Sequence, residues 1–388
     1  MSKTGNISKK AIFALFLVHF SGDLYQSFIY PLFPIIRENF DLSLSQIGLI
    51  TAVVTLVSFA AQPIIGILAE RFRPGLFMVT GLLLSCVFIP LMGVVPWFEL
   101  LIVITGLGAL GSSMYHPTAA GMVHNYAGDR VAFSMSVFGL GGTIAFSLGP
   151  LIVTLFVVTF GLPRLPFMAV FGLAAVACLV ILNPLGLEKS PKNERSFATL
   201  RKSMAGAWKG ILLLCALASM RSLVDTTFRS FYPILYSQEG HGLVSVGLVL
   251  SIYVLGGSLS SMVFGHLADG KGYRFIFYIS FGLSTPCLIW LINSHGWAVY
   301  AASFMSGFFL LATMFPTVAL ANQLVPEGKS LVSSLTMGLA SGIGGILAPL
   351  IGKLAGDFGI RTVIAVVFLI PLLCLAVVHR IPDYRAQS

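Results

Sequence analysis

Stretches of about twenty consecutive apolar residues recur a dozen times along this 388-residue chain, and that recurrence decides its fold class. As a helix, each stretch crosses roughly 30 Å of hydrocarbon. Apolar residues make up 57% of the sequence and charged residues 10%, against roughly a quarter charged in an ordinary globular domain. No soluble fold buries so much apolar surface beneath a polar skin. The sequence therefore predicts an all-α integral membrane protein of twelve transmembrane helices, with the lipid bilayer as its main partner.

The net charge of +9 would suit a nucleic-acid binder, but its placement argues against one. All but six of the 23 Lys and Arg fall on the face expected to hold both termini. Arg37, Arg164, Lys353 and Arg361 lie near the opposite face, and Arg221 and Arg229 lie within a span. Positive charge collects on the cytoplasmic side of a membrane protein, so both termini are expected in the cytoplasm. Lys9 and Lys10 precede a long span with no small-residue cleavage site, so the first helix is expected to be retained. Cys86, Cys178, Cys215, Cys287 and Cys374 all sit in apolar spans without CxxC pairing. No disulfide, metal site or cofactor is expected of them.

An internal repeat organises the spans. Shifting the sequence by 199 positions brings Pro34 onto Pro233, Gly48 onto Gly247, Gly66 onto Gly265, Pro117 onto Pro316, Gly139 onto Gly338 and Pro150 onto Pro349. Glycine and proline carry the match because they fix kinks and close helix contacts in membrane bundles. The expected organisation is a six-helix bundle over 1–187, a basic cytoplasmic linker over 188–208 and a second six-helix bundle over 209–388. A parallel repeat of this kind places a substrate path between its halves.

Two strings end the second and eighth spans at that offset: GILAERFRPG from Gly66 and GHLADGKGYR from Gly265. Each offers a glycine for close helix contact, then an acid (Glu70, Asp269), then bases (Arg71 and Arg73; Lys271 and Arg274). An acid–base group there can lock one conformational state and release another.

Ionisable residues inside spans cost at least roughly 2.5–3.5 kcal/mol each, so the few present need a reason. His19, Asp23 and Gln26 share one face of the first helix. Arg221, Asp225 and Arg229 share one face of the seventh. Asp225, with an arginine one turn away on each side, is expected to stay ionised as an ion-pair strut. Asp23 has only His19 and Gln26 nearby in sequence, and desolvation favours its protonated form. It is the expected proton carrier, with His19 as co-carrier. The two arginines leave a net positive charge that an anionic substrate could neutralise; alternatively Arg229 snorkels and the pair is structural. His116 precedes Pro117 in GSSMYHP, where small residues let helices approach; it is expected to line the substrate cavity with Gln26, Arg221, Asp225 and Arg229. No nucleophile–base pair or metal-ligand spacing argues for an enzyme.

The strings VHFSGDLYQSFIYPLFPIIRENFDLSLSQIGLI, QPIIGILAERF, GSSMYHP and NQLVPEGKSLVSSLTMGLASGIGGILAPLIG together resemble the fosmidomycin-resistance efflux permeases of the major facilitator superfamily. The resemblance covers most of the chain. It implies the major facilitator fold and proton-driven export of small antibiotics or related anions; the protein is expected in the bacterial inner membrane, as a monomer. The family's His-x-x-x-Asp falls on His19 and Asp23, and its His-Pro on His116 and Pro117. The chain departs from the family at Thr118, Gly22 and Ala145, where the family has an acid, an asparagine and a glycine. Proton symport of an organic anion is the other reading of the same cluster.

Overall fold

The computed structural model describes residues 7–71, 74–182, 197–325 and 332–381. Among them eleven helices are long and apolar enough to cross a membrane, and a shorter apolar helix makes a twelfth. In chain order they are α1 (Lys9–Asn39), α2 (Leu44–Phe59), α3 (Pro74–Leu91), α4 (Phe98–Tyr126), α5 (Phe133–Phe160), α6 (Leu162–Ile181), α7 (Gly206–Gln238), α8 (Leu243–Ala268), α9 (Tyr273–Ile292), α10 (Ala298–Leu324), α11 (Leu335–Phe358) and α12 (Ile360–Val378). The expected count of twelve is met.

The second apolar stretch, over 45–69, does not form one helix. Its helix ends at Ala60, the chain bends, and a second helix runs over Gln62–Arg71. Pro63 explains the break, because it has no N–H with which to continue the helical ladder. The expected linker over 188–208 lies outside the described residues as far as 196. From Phe197 the chain is already helical and runs unbroken to Gln238.

Large apolar side chains face outward as well as inward: Ile181, Met262 and Phe167 are 78%, 76% and 71% exposed. In water that surface would be costly; in lipid it is the expected exterior.

The chain forms two compact units by packing. One comprises Met1–Leu32 and Leu56–Asn193, the other Phe33–Thr55 and Glu194–Ser388. The first unit is centred on Leu15, Val18, Leu82, Tyr115, Ala119 and Val123. The second is centred on Leu214, Ile276, Phe277, Phe281, Leu320 and Ala321. Phe33–Thr55 joins the second unit through small residues. Ser45 donates to the Pro349 carbonyl at 3.2 Å, Thr51 Oγ1 lies 3.0 Å from Ser230 Oγ, and Gly48 abuts the backbone of Ala348.

The repeat reappears as equivalent contacts inside each unit. Asp23 of α1 lies against Gly142 of α5. One repeat later Ser222 of α7 donates to the Ser341 carbonyl of α11 at 3.0 Å. These packed helix pairs hold the polar groups described next.

Candidate functional site

Asp23 sits one helical turn beyond His19 on α1 and is almost entirely buried, its side chain 4% exposed. Its carboxylate is fully engaged. His19 Nε2 lies 3.1 Å from Oδ2, and His116 Nε2 lies 3.1 Å from Oδ1. The Tyr115 hydroxyl donates to Oδ1 at 2.6 Å. Tyr115 and His116 come from α4, so two helices build the cluster. Small residues at Gly111, Ser112 and Ser113 let α4 approach, and Pro117 leaves the Ser113 carbonyl without its helical donor.

Two glycines make the fit possible. A Cβ on Gly22 would run into the Tyr115 ring, and one on Gly142 would run into Asp23 Oδ2 and His19 Nε2. The His19 ring is further held by stacking on Phe138 of α5, with ring centroids 4.2 Å apart.

The outer ring nitrogens set the proton arrangement. His19 Nδ1 is 2.8 Å from the Phe138 carbonyl. A carbonyl only accepts, so Nδ1 carries hydrogen. His116 Nδ1 has two neighbours in Ser112, the carbonyl at 3.0 Å and the hydroxyl at 3.1 Å. The hydroxyl can donate or accept, so His116 Nδ1 can stand with or without hydrogen. Of the elements packed on α1, α3 and α5 carry no charged or histidine side chain and α6 carries only Arg164; α4 supplies only Tyr115 and His116 at this depth.

The donor atoms of His19, Asp23 and His116 all lie within 4.8 Å of one another, the one such grouping among the described residues. That spacing is compatible with a bound cation and was not expected from the sequence. The two 3.1 Å nitrogen–oxygen contacts are complete as hydrogen bonds, so protons suffice to join the three groups.

The other expected residues fall into distinct places. Gln26 is buried away from solvent and donates to Ser85 Oγ at 3.1 Å and to the Gly108 carbonyl at 2.7 Å, tying α1 to α3 and α4. In α7, Arg229 Nε and the Tyr253 hydroxyl both donate to Asp225 Oδ1 at 2.9 Å. The expected second arginine of that strut is missing from it. Among the described residues Asp225 pairs with Arg229 and not with Arg221. Spacing alone makes the two arginines equivalent; side-chain packing separates them.

Of the loop strings, Arg73 lies outside the described residues, as do the side chains of Gly66, Glu70, Arg71 and Asp269. Gly265 has no atom near enough to meet a Cβ, so the close contact expected of it is absent among the described residues. Lys271 lies over the Phe275 ring at 5.0 Å, and Arg274 donates to the His379 carbonyl at 2.7 Å. Tyr115, Ser112 and Gly142 are the positions of this cluster that local sequence patterns miss. Their only signals are adjacency to His-Pro and a Gly-Gly pair in α5.

The sequence profile described as Major Facilitator Superfamily matches residues 15–243 and again 214–388. The fosmidomycin resistance protein of Escherichia coli (strain K12) is 24% identical over 383 residues, covering 97% of this chain and 93% of that protein. The uncharacterized MFS-type transporter YfnC of Bacillus subtilis (strain 168) is 27% identical over 380 residues, covering 95% and 92%. Among solved structures, a bacterial homolog to the human lysosomal transporter Spinster, inward-facing and unoccupied, aligns with a TM-score of 0.82 at 14% identity, covering 97% of each chain. The nucleoside transporter NupG aligns with a TM-score of 0.77 at 15% identity, covering 96% and 99%. These structural likenesses speak to the fold alone.

Proposed function

We propose that this chain, which belongs to the Major Facilitator Superfamily, is a proton-coupled exporter of a small drug-like or anionic molecule. It is a multi-pass membrane transporter of small molecules, not an enzyme. We assign it to the bacterial inner membrane as a monomer with cytoplasmic termini, working by antiport and alternating access. The loop strings at Gly66–Arg73 and Gly265–Arg274 serve as its conformational latches.

One observation carries the proton: the hydrogen-bond inventory around Asp23. With Asp23 ionised, His19 must hold hydrogen on both nitrogens, because both face acceptors. His116 can stay neutral, its Nε2–H donating to Asp23 while Nδ1 accepts from the Ser112 hydroxyl. We place the exchangeable proton between His19 and Asp23, where the Nδ1 partner is a carbonyl alone. Its removal leaves the His19 Nε2 lone pair facing a carboxylate in a buried site, a repulsion relieved by rearrangement of α1 against α4 and α5. Proton loss is thereby tied to helix movement. This refines the sequence expectation, in which Asp23 carried the proton without a partner on another helix.

The export direction is supported by the likeness to the fosmidomycin resistance protein. The test is growth inhibition by fosmidomycin and a panel of unrelated drugs in an efflux-deficient bacterium. Strains carry the wild type, Asp23→Asn or no transporter, at matched membrane levels. Resistance conferred by the wild type and lost in Asp23→Asn is the expected result. Equal protection by both forms would remove the proton role. Protection against nothing on the panel would turn the reading to proton symport of organic anions.

A further inference from the structure

The first unit places an acid between two bases; the second places a base whose nearby acid is already paired elsewhere. Arg221 is 6% exposed, and its Nε is shut off from solvent with no hydrogen-bond partner. No ion pair reaches it among the described residues. Its electrostatic neighbours are Asp225, Tyr253, Arg229 and Cys374. The one nearby carboxylate, Asp225, already accepts from Arg229 and Tyr253.

The repeat does not supply the missing partner either. Arg221 stands where the first unit has Gly22, and Ser222 stands where it has Asp23. The Ser222 hydroxyl is spent on the Ser341 carbonyl. Two arginines and one aspartate leave an excess of one positive charge in an apolar bundle. A buried guanidinium without a counter-charge is costly, whereas its planar fork matches a two-oxygen anion.

We propose that Arg221 anchors an anion site in the second unit and takes one oxyanion group, a carboxylate or an oxyacid of phosphorus, from a monoanionic ligand. Asp225, Arg229 and Tyr253 form the neutral wall that keeps Arg221 from being satisfied internally. That the anion is the transported molecule rests on the exporter reading; the binding itself does not.

The test uses the full-length protein in phosphatidylcholine nanodiscs. Thermal unfolding is followed against acetate, inorganic phosphate and methylphosphonate, with chloride holding ionic strength constant. Wild type, Arg221→Gln and Arg221→Lys are compared. The oxyanions should raise the wild-type midpoint in a saturable way. Arg221→Gln should weaken that response about 10-fold or more, with Arg221→Lys between the two.

Without ligand, Arg221→Gln should melt no lower than the wild type, because an uncompensated charge has gone. Three results would overturn the site: no response beyond chloride in the wild type, an undiminished response in Arg221→Gln, or an Arg221→Gln protein that melts lower or fails to fold. The last would mark Arg221 as structural. Nanodiscs with an anionic lipid separate a headgroup from a free anion: if that lipid abolishes the response to all three probes, a headgroup owns the site and the cargo assignment falls. Failure of drug export or proton coupling would leave these binding results unchanged, so the two readings stand or fall separately.

Discussion

Gly142 lacks a side chain because Asp23 and His19 occupy the space one would need. A methyl group there would meet Asp23 Oδ2 and His19 Nε2 inside contact distance. Gly142→Ala should therefore separate the pair that shares the proton while leaving every charged group present. Resistance in the growth assay is expected to fall to the level of Asp23→Asn. Overpacking of this kind costs typically about 1–3 kcal/mol, so the variant should still reach the membrane, which immunoblotting checks. Undiminished resistance in Gly142→Ala would show that the His19–Asp23 contact is dispensable. The i, i+4 spacing of His19 and Asp23 made their contact legible in the sequence. Tyr115 was not legible, because it meets Asp23 from 92 residues away, and no local periodicity encodes which face of α4 turns toward α1.

At the scale of elements, Gln26 joins three helices. Its amide supports the Gly108 carbonyl of α4 and the Ser85 hydroxyl of α3, and Ser85 in turn donates to Gly108 at 3.1 Å. The sequence places Gln26 with the polar face of α1, which suggested a cavity; the neighbours that convert it into a tie come from other helices. Gln26→Leu is expected to lower stability by about 1–3 kcal/mol, the cost of leaving buried polar partners short of a donor. Thermal unfolding in detergent would register this, and the ranking of drugs exported should stay that of the wild type. A changed ranking would put Gln26 back against the substrate. The break after α2 was less readable: Pro63 is compatible with a disrupted helix, but the apolarity running through it gives no sign of where one helix ends and the next starts.

For the molecule as a whole, charge asymmetry and the repeat carry the largest claims. Twelve spans are an even number, so the two termini are expected to share a side, and we assign that side to the cytoplasm because the excess of Lys and Arg falls there. Green fluorescent protein fused to either end should fluoresce, and alkaline phosphatase fused to either end should be inactive; an active phosphatase fusion would reverse the orientation. The fold was legible from span length, composition and the 199-residue offset, since lipid imposes those patterns on any helix bundle it surrounds. The unpaired state of Arg221 was not, because it depends on which of two equally spaced arginines turns toward Asp225. The proton seat proposed at His19 and Asp23 also bears on how voltage would act on each cycle. In the proposed antiport, one proton entering and one anion leaving would carry current in the same direction, so a turnover would move two elementary charges inward. At about 2.3 kcal/mol per charge per 100 mV, the membrane potential drives that cycle about twice as hard as it would drive export of a neutral cargo.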